Sequence, residues 1–175
     1  MPIDLRRAEP KDVSALAKLA EDTFIETFVQ GFAVGYSEAD LQAFLIQSYA
    51  PERVAAWIAD PMGEVVVAED ADGHLVGYSH CGENTLPYEH AAPGDVELKR
   101  IYVRLQTQGS GLGRALIERT IDWFGGRTAL IGVWSENLKA QRLYAHYGFE
   151  KVGEYRFMVG STADHEFILR RGPKA

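Results

Sequence analysis

The residues with the clearest chemical potential are Gln108-Gly109-Ser110-Gly111-Leu112-Gly113-Arg114, set between a strand-like run, Val96 to Val103, and a helix-like run, Leu112 to Phe124. Glycines permit positive φ and clear the approach path, so successive N–H groups and the unpaired amides of a helix N-terminus can converge on an anion. The chemistry this implies is phosphate or pyrophosphate binding; an ordinary strand-to-helix turn rich in glycine is the alternative. Two nucleotide patterns fail on spacing. No Gly followed by four residues and Gly-Lys-Ser/Thr occurs, and a dinucleotide G-x-G-x-x-G begun at Gly109 meets Arg114 where its third glycine belongs. The next apolar run, Thr128 to Trp134, also lacks the acidic residue a dinucleotide site needs. What remains is Q-x-x-G-x-G, from Gln108, Gly111 and Gly113.

Two further groupings bear on chemistry. In Val96-Glu97-Leu98-Lys99-Arg100-Ile101-Tyr102-Val103, Leu98 falls on one parity and Ile101 and Val103 on the other. A one-residue bulge restores a common apolar face and frees backbone N–H groups, the donors that acyl transfer needs at a carbonyl oxygen; an edge or twist irregularity is the other explanation. Downstream, Asn137, Ala140, Tyr144 and Tyr147 are three, four and three residues apart, hence on one helical stripe, where an aromatic is ordinarily core. The histidines at 74, 80, 90, 146 and 165 show no ligand spacing, and no metal is expected. Cys81 is the single cysteine, which excludes an intramolecular disulfide and a cysteine metal cage. Its strand context suits a half-buried apolar thiol better than a nucleophile.

These residues need a scaffold, and the periodicity supplies one. Ile3 to Arg7 reads as a strand; Glu9-Pro10-Lys11-Asp12 then opens a helix with Val13, Leu16, Ala17, Leu19, Ala20, Phe24 and Phe28 on one face. Gly31 and Gly35 interrupt it. Ser37-Glu38-Ala39-Asp40 caps a second helix with Leu41, Phe44, Leu45 and Tyr49 inward, and Pro51 starts a third to about Ala59. Glu64 to Glu69 and His74 to Gly82 flank a glycine-containing turn as a hairpin. A loop runs from Glu83 to Asp95, followed by the fourth strand, the glycine turn, a helix to Phe124, a strand from Ala129 to Ser135 and a helix from Asn137 to Tyr147. Gly148 stops that helix, with Phe149 placed for the accompanying apolar contact. Phe149 to Val159 and Asp164 to Arg170 are the last strands. The expected class is α+β, one domain over residues 1–175.

With 18 Lys and Arg against 25 Asp and Glu, the net charge of −7 argues against a nucleic-acid partner and draws in a cationic one. No apolar run approaches the roughly 20 residues that span a bilayer, and no signal-peptide stretch opens the sequence. No membrane partner and a cytoplasmic location are the expectations.

The Q-x-x-G-x-G pattern after a strand and before a helix resembles the acyl-CoA pyrophosphate loop of the Gcn5-related N-acetyltransferase superfamily. Asn137-x-x-Ala140-x-x-x-Tyr144-x-x-x-Gly148-Phe149 resembles a second signature block of the same enzymes. The resemblance implies a mixed, twisted sheet of about seven strands with helices on both faces, splayed between strands four and five. It implies acetyl-CoA as cosubstrate, held by Gln108, Gly109, Ser110, Gly111, Leu112, Gly113 and Arg114, by Ile101, Tyr102 and Val103 along the bulged strand, and by Asn137. Tyr144 takes the place beside the thioester sulfur as general acid; a phenol near pKa 10 can protonate a thiolate whose conjugate acid lies near 8.5. Glu97, eleven residues before Gln108, stands where the histone-acetylating branch carries its base; a strand carboxylate paired with Lys99 or Arg100 is the alternative. The segment from Thr23 to Phe28 and the later Tyr36 and Tyr49 resemble bacterial spermine/spermidine N-acetyltransferases. By that likeness Glu26 and Tyr36 hold the acceptor, a small cationic amine. Direct transfer to a primary amine is therefore expected, with a peptide or protein N-terminus as the other acceptor and a non-catalytic acyl-CoA sensor as the other class. A homodimer is compatible with the sequence.

Overall fold

A computed structural model describes residues 3–173. Seven strands, β1 (Asp4–Arg7), β2 (Glu64–Glu69), β3 (Leu75–Glu83), β4 (Val96–Val103), β5 (Ala129–Trp134), β6 (Glu150–Val159) and β7 (Thr162–Arg171), form one sheet of order β1-β2-β3-β4-β5-β7-β6. Every neighbouring pair is antiparallel except β4 with β5. Helices α1 (Val13–Phe24), α2 (Glu38–Tyr49) and α3 (Pro51–Ala59) cover one face, and α4 (Leu112–Phe124) and α5 (Leu138–His146) the other. The class and element order are those expected. Boundaries shift slightly: β5 stops at Trp134 and β7 begins at Thr162.

Period decides which face each element buries. Leu16, Leu19, Ala20 and Phe24 recur along α1 and meet Val65, Val67 and Tyr78 of the sheet. On the opposite face, Leu112 and Leu116 of α4 pack on Val66, Ala68 and Val76, while Ile117 and Phe124 join Ile131, Val133, Tyr144 and Phe149. At about 25 cal/mol per Å2 each such side chain stabilises by roughly 1.5–3 kcal/mol before chain entropy is subtracted.

The feature that makes room for a site is the parting of β4 from β5. They pair only at Val96↔Ala129, Glu97↔Leu130 and Leu98↔Ile131, although β4 runs on to Val103 and β5 to Trp134. A bulge in β4, one of the two explanations of the parity break, lies just where the pairing stops. On the β3 side the register passes from His80↔Arg100 to Cys81↔Leu98, which leaves Lys99 unpaired and bends β4. Beyond it, Ile101 and Tyr102 point to opposite faces again, into the α4 and α1 cores.

The first helix ends at Gly31, in a form that its periodicity did not show: Ile25–Gly31 continues α1 as a π-helix, closed by Phe32 N–H donating to Thr27 O at 2.9 Å. A Cβ on Gly31 would stand 3.0 Å from Glu26 O, so the wide turn takes the residue without a side chain. The extra residue per turn swings Phe28 and Phe32 over the end of β5, with ring centroids 6.2 and 4.6 Å from Trp134.

Candidate active site

The parted strands open a cleft of about 890 Å3 bounded by the free edges of β4 and β5, the N-terminus of α4, α5 and the π-helical end of α1. Its geometry follows from backbone alternation. Arg104 N–H donates to Val76 O, so the backbone of Tyr102, two residues earlier, also faces β3. Ile101 and Val103 therefore turn their N–H and C=O groups to the side where β5 has departed. Of the three strand residues expected to meet a cosubstrate, those two present backbone; Tyr102 presents its ring, 6.5 Å from that of Phe28.

At the wider end, Gly109 and Gly111 take φ of +83° and +88° and Gly111 is the N-cap of α4. Nothing lies within 4 Å of the Cβ that either would carry, which leaves space over the turn. Gly111, Gly113 and Arg114 belong to the first turn, whose amides have no intrahelical acceptor. Lys139 lines the same wall, its Nζ donating to Gln108 Oε1 at 3.3 Å, and was not singled out in the sequence. Free amides, a helix N-terminus and two cations, Arg114 and Lys139, suit a pyrophosphate. Leu112 and Ser110 do not line the cleft. Leu112 is buried in the α4 core, and Ser110 Oγ donates to Thr107 O at 2.6 Å.

Tyr144 is held at the inner end by the way α5 stops. Gly148, at φ +83°, donates to Ala145 O at 3.0 Å and Phe149 N–H to Tyr144 O at 3.1 Å, a Schellman ending whose apolar contact is the Tyr144–Phe149 ring pair. Its side chain is buried against the cleft, and burial raises the phenol, with the negative charge of Glu166 adding to the shift. Asn137 lines the cleft and caps α5, its Oδ1 accepting from Ala140 N–H at 3.0 Å, so the cap does not use Nδ2. Cys81 lies outside it, buried, with its thiol pushed up to about 12 by burial. A thiol in that state is not a nucleophile.

Three expected roles are redrawn. Glu97 is buried and does not line the cleft: its Oε2 accepts from Thr85 N–H at 2.7 Å, Thr85 Oγ1 at 2.8 Å and Lys99 Nζ at 3.0 Å. The strand-carboxylate alternative, paired with Lys99, describes it; it pins the β3–β4 loop. Glu26 lines the cleft, but Arg104 Nη1 donates to one oxygen at 3.2 Å and Leu105 N–H to the other at 2.9 Å, so its charge is spent tying α1 to the β4–α4 connection. Tyr36 lies outside the lining, its hydroxyl donating to Asp164 Oδ2 at 2.5 Å.

Glu166 is the residue that sequence reasoning missed. It faces Trp134 across the β5–β7 pair, lines the cleft, and accepts a short hydrogen bond from the Tyr155 hydroxyl. Burial pushes its carboxyl up to about 7, with Asp164 and Glu97 adding to the shift and the Tyr155 bond opposing it. Nothing local marks it. Its only signal was an acid alternating with apolar residues in the last strand, which is also how a solvated strand reads.

The chain is similar to known proteins over most of its length. The acetyltransferase (GNAT) family model matches residues 21–149. An uncharacterized N-acetyltransferase of Lactobacillus delbrueckii subsp. lactis is 26% identical over 97% of the chain and 96% of its own length. The N-alpha-acetyltransferase RimI of Mycobacterium tuberculosis is 30% identical over 76% of the chain and 83% of its length. The spermine/spermidine N(1)-acetyltransferase of Bacillus subtilis is 31% identical over 49% and 59%. Among solved structures, the PaiA N-acetyltransferase from Thermoplasma acidophilum in complex with coenzyme A superposes with a TM-score of 0.75 over 98% of the chain and 99% of its own, at 18% identity.

Proposed function

The chain belongs to the acetyltransferase (GNAT) family and is an acetyl-CoA-dependent N-acetyltransferase, and we propose that it acts as one domain passing acetyl directly to the primary amine of a small cationic polyamine. The observation that carries the acceptor is the chemistry of the cleft's far wall. Phe28, Phe32, Tyr102 and Trp134 line the same cleft as Glu166, which pairs with Trp134 across β5 and β7, and Asp164 and Glu97 contribute further negative potential. Aromatic faces and an uncancelled carboxylate suit an ammonium group. The partial likeness to the spermine/spermidine enzyme supports the same acceptor.

When bound, acetyl-CoA supplies a thioester whose carbonyl carbon is the electrophile. The residues of this chain then have distinct tasks. Amides of the α4 first turn, with Arg114 and Lys139, hold the pyrophosphate; the backbone of Ile101 and Val103 offers hydrogen bonds along the arm and to the carbonyl oxygen. Asn137 Nδ2 donates from the opposite wall. Tyr144 gives its proton to the departing sulfur. Its raised pKa keeps that proton in place until a thiolate forms in the same low-dielectric site, where desolvation raises the thiol's proton affinity as well.

A peptide N-terminus is the second acceptor to test, because the RimI likeness covers more of the chain than the polyamine one. The experiment is thiol release from acetyl-CoA against spermine, spermidine, simple alkyl amines, amino acids and short peptides. Turnover expected with the polyamines and absent with neutral-bodied amines supports the proposal. Selective turnover of peptides assigns the second acceptor, and release with no amine at all overturns both.

A further inference from the structure

We infer that Glu166, on the last strand, is the general base that removes the proton from the acceptor ammonium, with Tyr155 as the residue that positions it. The inference rests on the amine-acetylation reading and assigns a residue within it. Three observations converge. The cleft exists because β5 parts from β4, and Glu166 stands opposite Trp134 at the open end of β5, so its carboxylate borders the cleft. Gly132, on the same β5 face, bears no side chain: a Cβ there would stand 2.6 Å from the Tyr155 hydroxyl and 2.9 Å from Glu166 Oε2. The carboxylate and its phenol are thus seated against bare strand backbone on the lip of the cleft. Tyr155, paired with Glu166 across β6 and β7, fixes one oxygen by its hydroxyl and leaves the rest of the carboxylate to another donor.

The groups facing Glu166 are all acidic or phenolic. Tyr155 comes from β6, Asp164 from β7, Glu97 from β4, and the phenols of Tyr36 before α2, Tyr102 on β4 and Tyr144 on α5 sense its charge. No cation among the described residues contributes to its state. The carboxyl, pushed up to about 7 chiefly by burial, is therefore matched to taking a proton near neutral pH. Glu97, the carboxylate expected to act as base, is occupied on Oε2 by Thr85 and Lys99 and set back from the lining.

The proton count closes. Of the three ammonium protons, one passes to Glu166 before attack and on to solvent. The amine lone pair then forms the N–C bond to the acetyl carbon, and the C–S bond breaks with its electron pair on sulfur. A second nitrogen proton leaves as the adduct collapses and balances the one that Tyr144 gives to sulfur. The third stays on the amide.

The test is the pH dependence of kcat/KM for the best acceptor, with Glu166→Gln, Glu166→Asp and Tyr155→Phe. Wild type should show an acidic limb with a midpoint near 7. Glu166→Gln should lose that limb and fall about 10^2-fold or more at pH 7.5, recovering as the pH approaches the amine's own pKa, where the substrate arrives deprotonated. Glu166→Asp should keep a limb at reduced rate. Tyr155→Phe, which removes a bond favouring the charged form, should move the limb upward. A limb unchanged in Glu166→Gln, or a loss that alkaline pH does not relieve, overturns the assignment while turnover by wild type leaves the acetyltransferase reading intact; wild type inactive on every amine overturns that reading instead.

Discussion

The two most strongly shifted groups that titrate near neutrality pull folding stability in opposite directions, and Glu166→Gln should expose this. Burial pushes Glu166 up from 4.5 to about 7, so the folded chain binds a proton there that the unfolded chain releases; its contribution to stability falls as pH rises between those values. His80 is the reverse. Buried against Trp57 and near Arg100 and Lys99, its imidazole is pushed down from 6.5 to about 3, so the unfolded chain binds the extra proton and stability rises with pH up to about 6.5. Each contributes a slope of about 1.4 kcal/mol per pH unit, and between about pH 5 and 6.5 the slopes cancel. Carboxylates held low by partners, such as Asp12 beside Arg6 and Asp22 beside Lys18 and Arg104, lose their contribution only below the ordinary aspartate range and do not tilt this window. Wild-type stability should therefore be nearly flat there. Glu166→Gln removes one term and should gain about 2 kcal/mol from pH 5 to 6.5. Urea unfolding followed by tryptophan fluorescence at half-unit pH steps measures it. A variant profile parallel to wild type would refute the raised carboxyl; a wild-type profile rising throughout would refute the compensation.

Other outcomes follow from the same geometry. Tyr144→Phe should lower kcat by about 10^2-fold or more with the KM for acetyl-CoA changed less than about threefold, since the ring packing on Phe149 survives and only the proton donor is lost; steady-state kinetics with unchanged kcat would remove Tyr144 from the acid role. Gly111→Ala forces a side chain to φ +88° in open space, so strain alone acts: about 1 kcal/mol of stability lost in denaturant titration, with weaker acetyl-CoA binding as the turn relaxes. Glu97→Gln leaves Lys99 without its anion and should cost about 1–3 kcal/mol in urea, while the acidic limb of the rate profile persists and moves slightly down as a charge near Glu166 disappears. Disappearance of the limb in that variant would return the base role to Glu97.

Much of this site was legible because it is local. The glycine turn needs positive φ within a few residues, the Asn137 cap and the Gly148 ending act within one helix, and the parity break in Val96–Val103 implies its own bulge. Spacing alone therefore determined the glycine turn, the stripe bearing Tyr144 and the α+β order. The roles of the carboxylates were not local. Glu97 and Glu166 differ by 69 positions, and whether either meets the cleft depends on which face each strand turns to the sheet and on what the β3–β4 loop brings to it. Glu26 reads as a free anion in its helix, and only the approach of Arg104 from 78 residues away spends its charge. Tertiary structure also decided the π-turn at Gly31, since helical propensity does not report a crowding contact. Sequence fixes conformations that a few residues impose on themselves; the burial and pairing that tune a carboxylate arise only when distant strands are laid side by side.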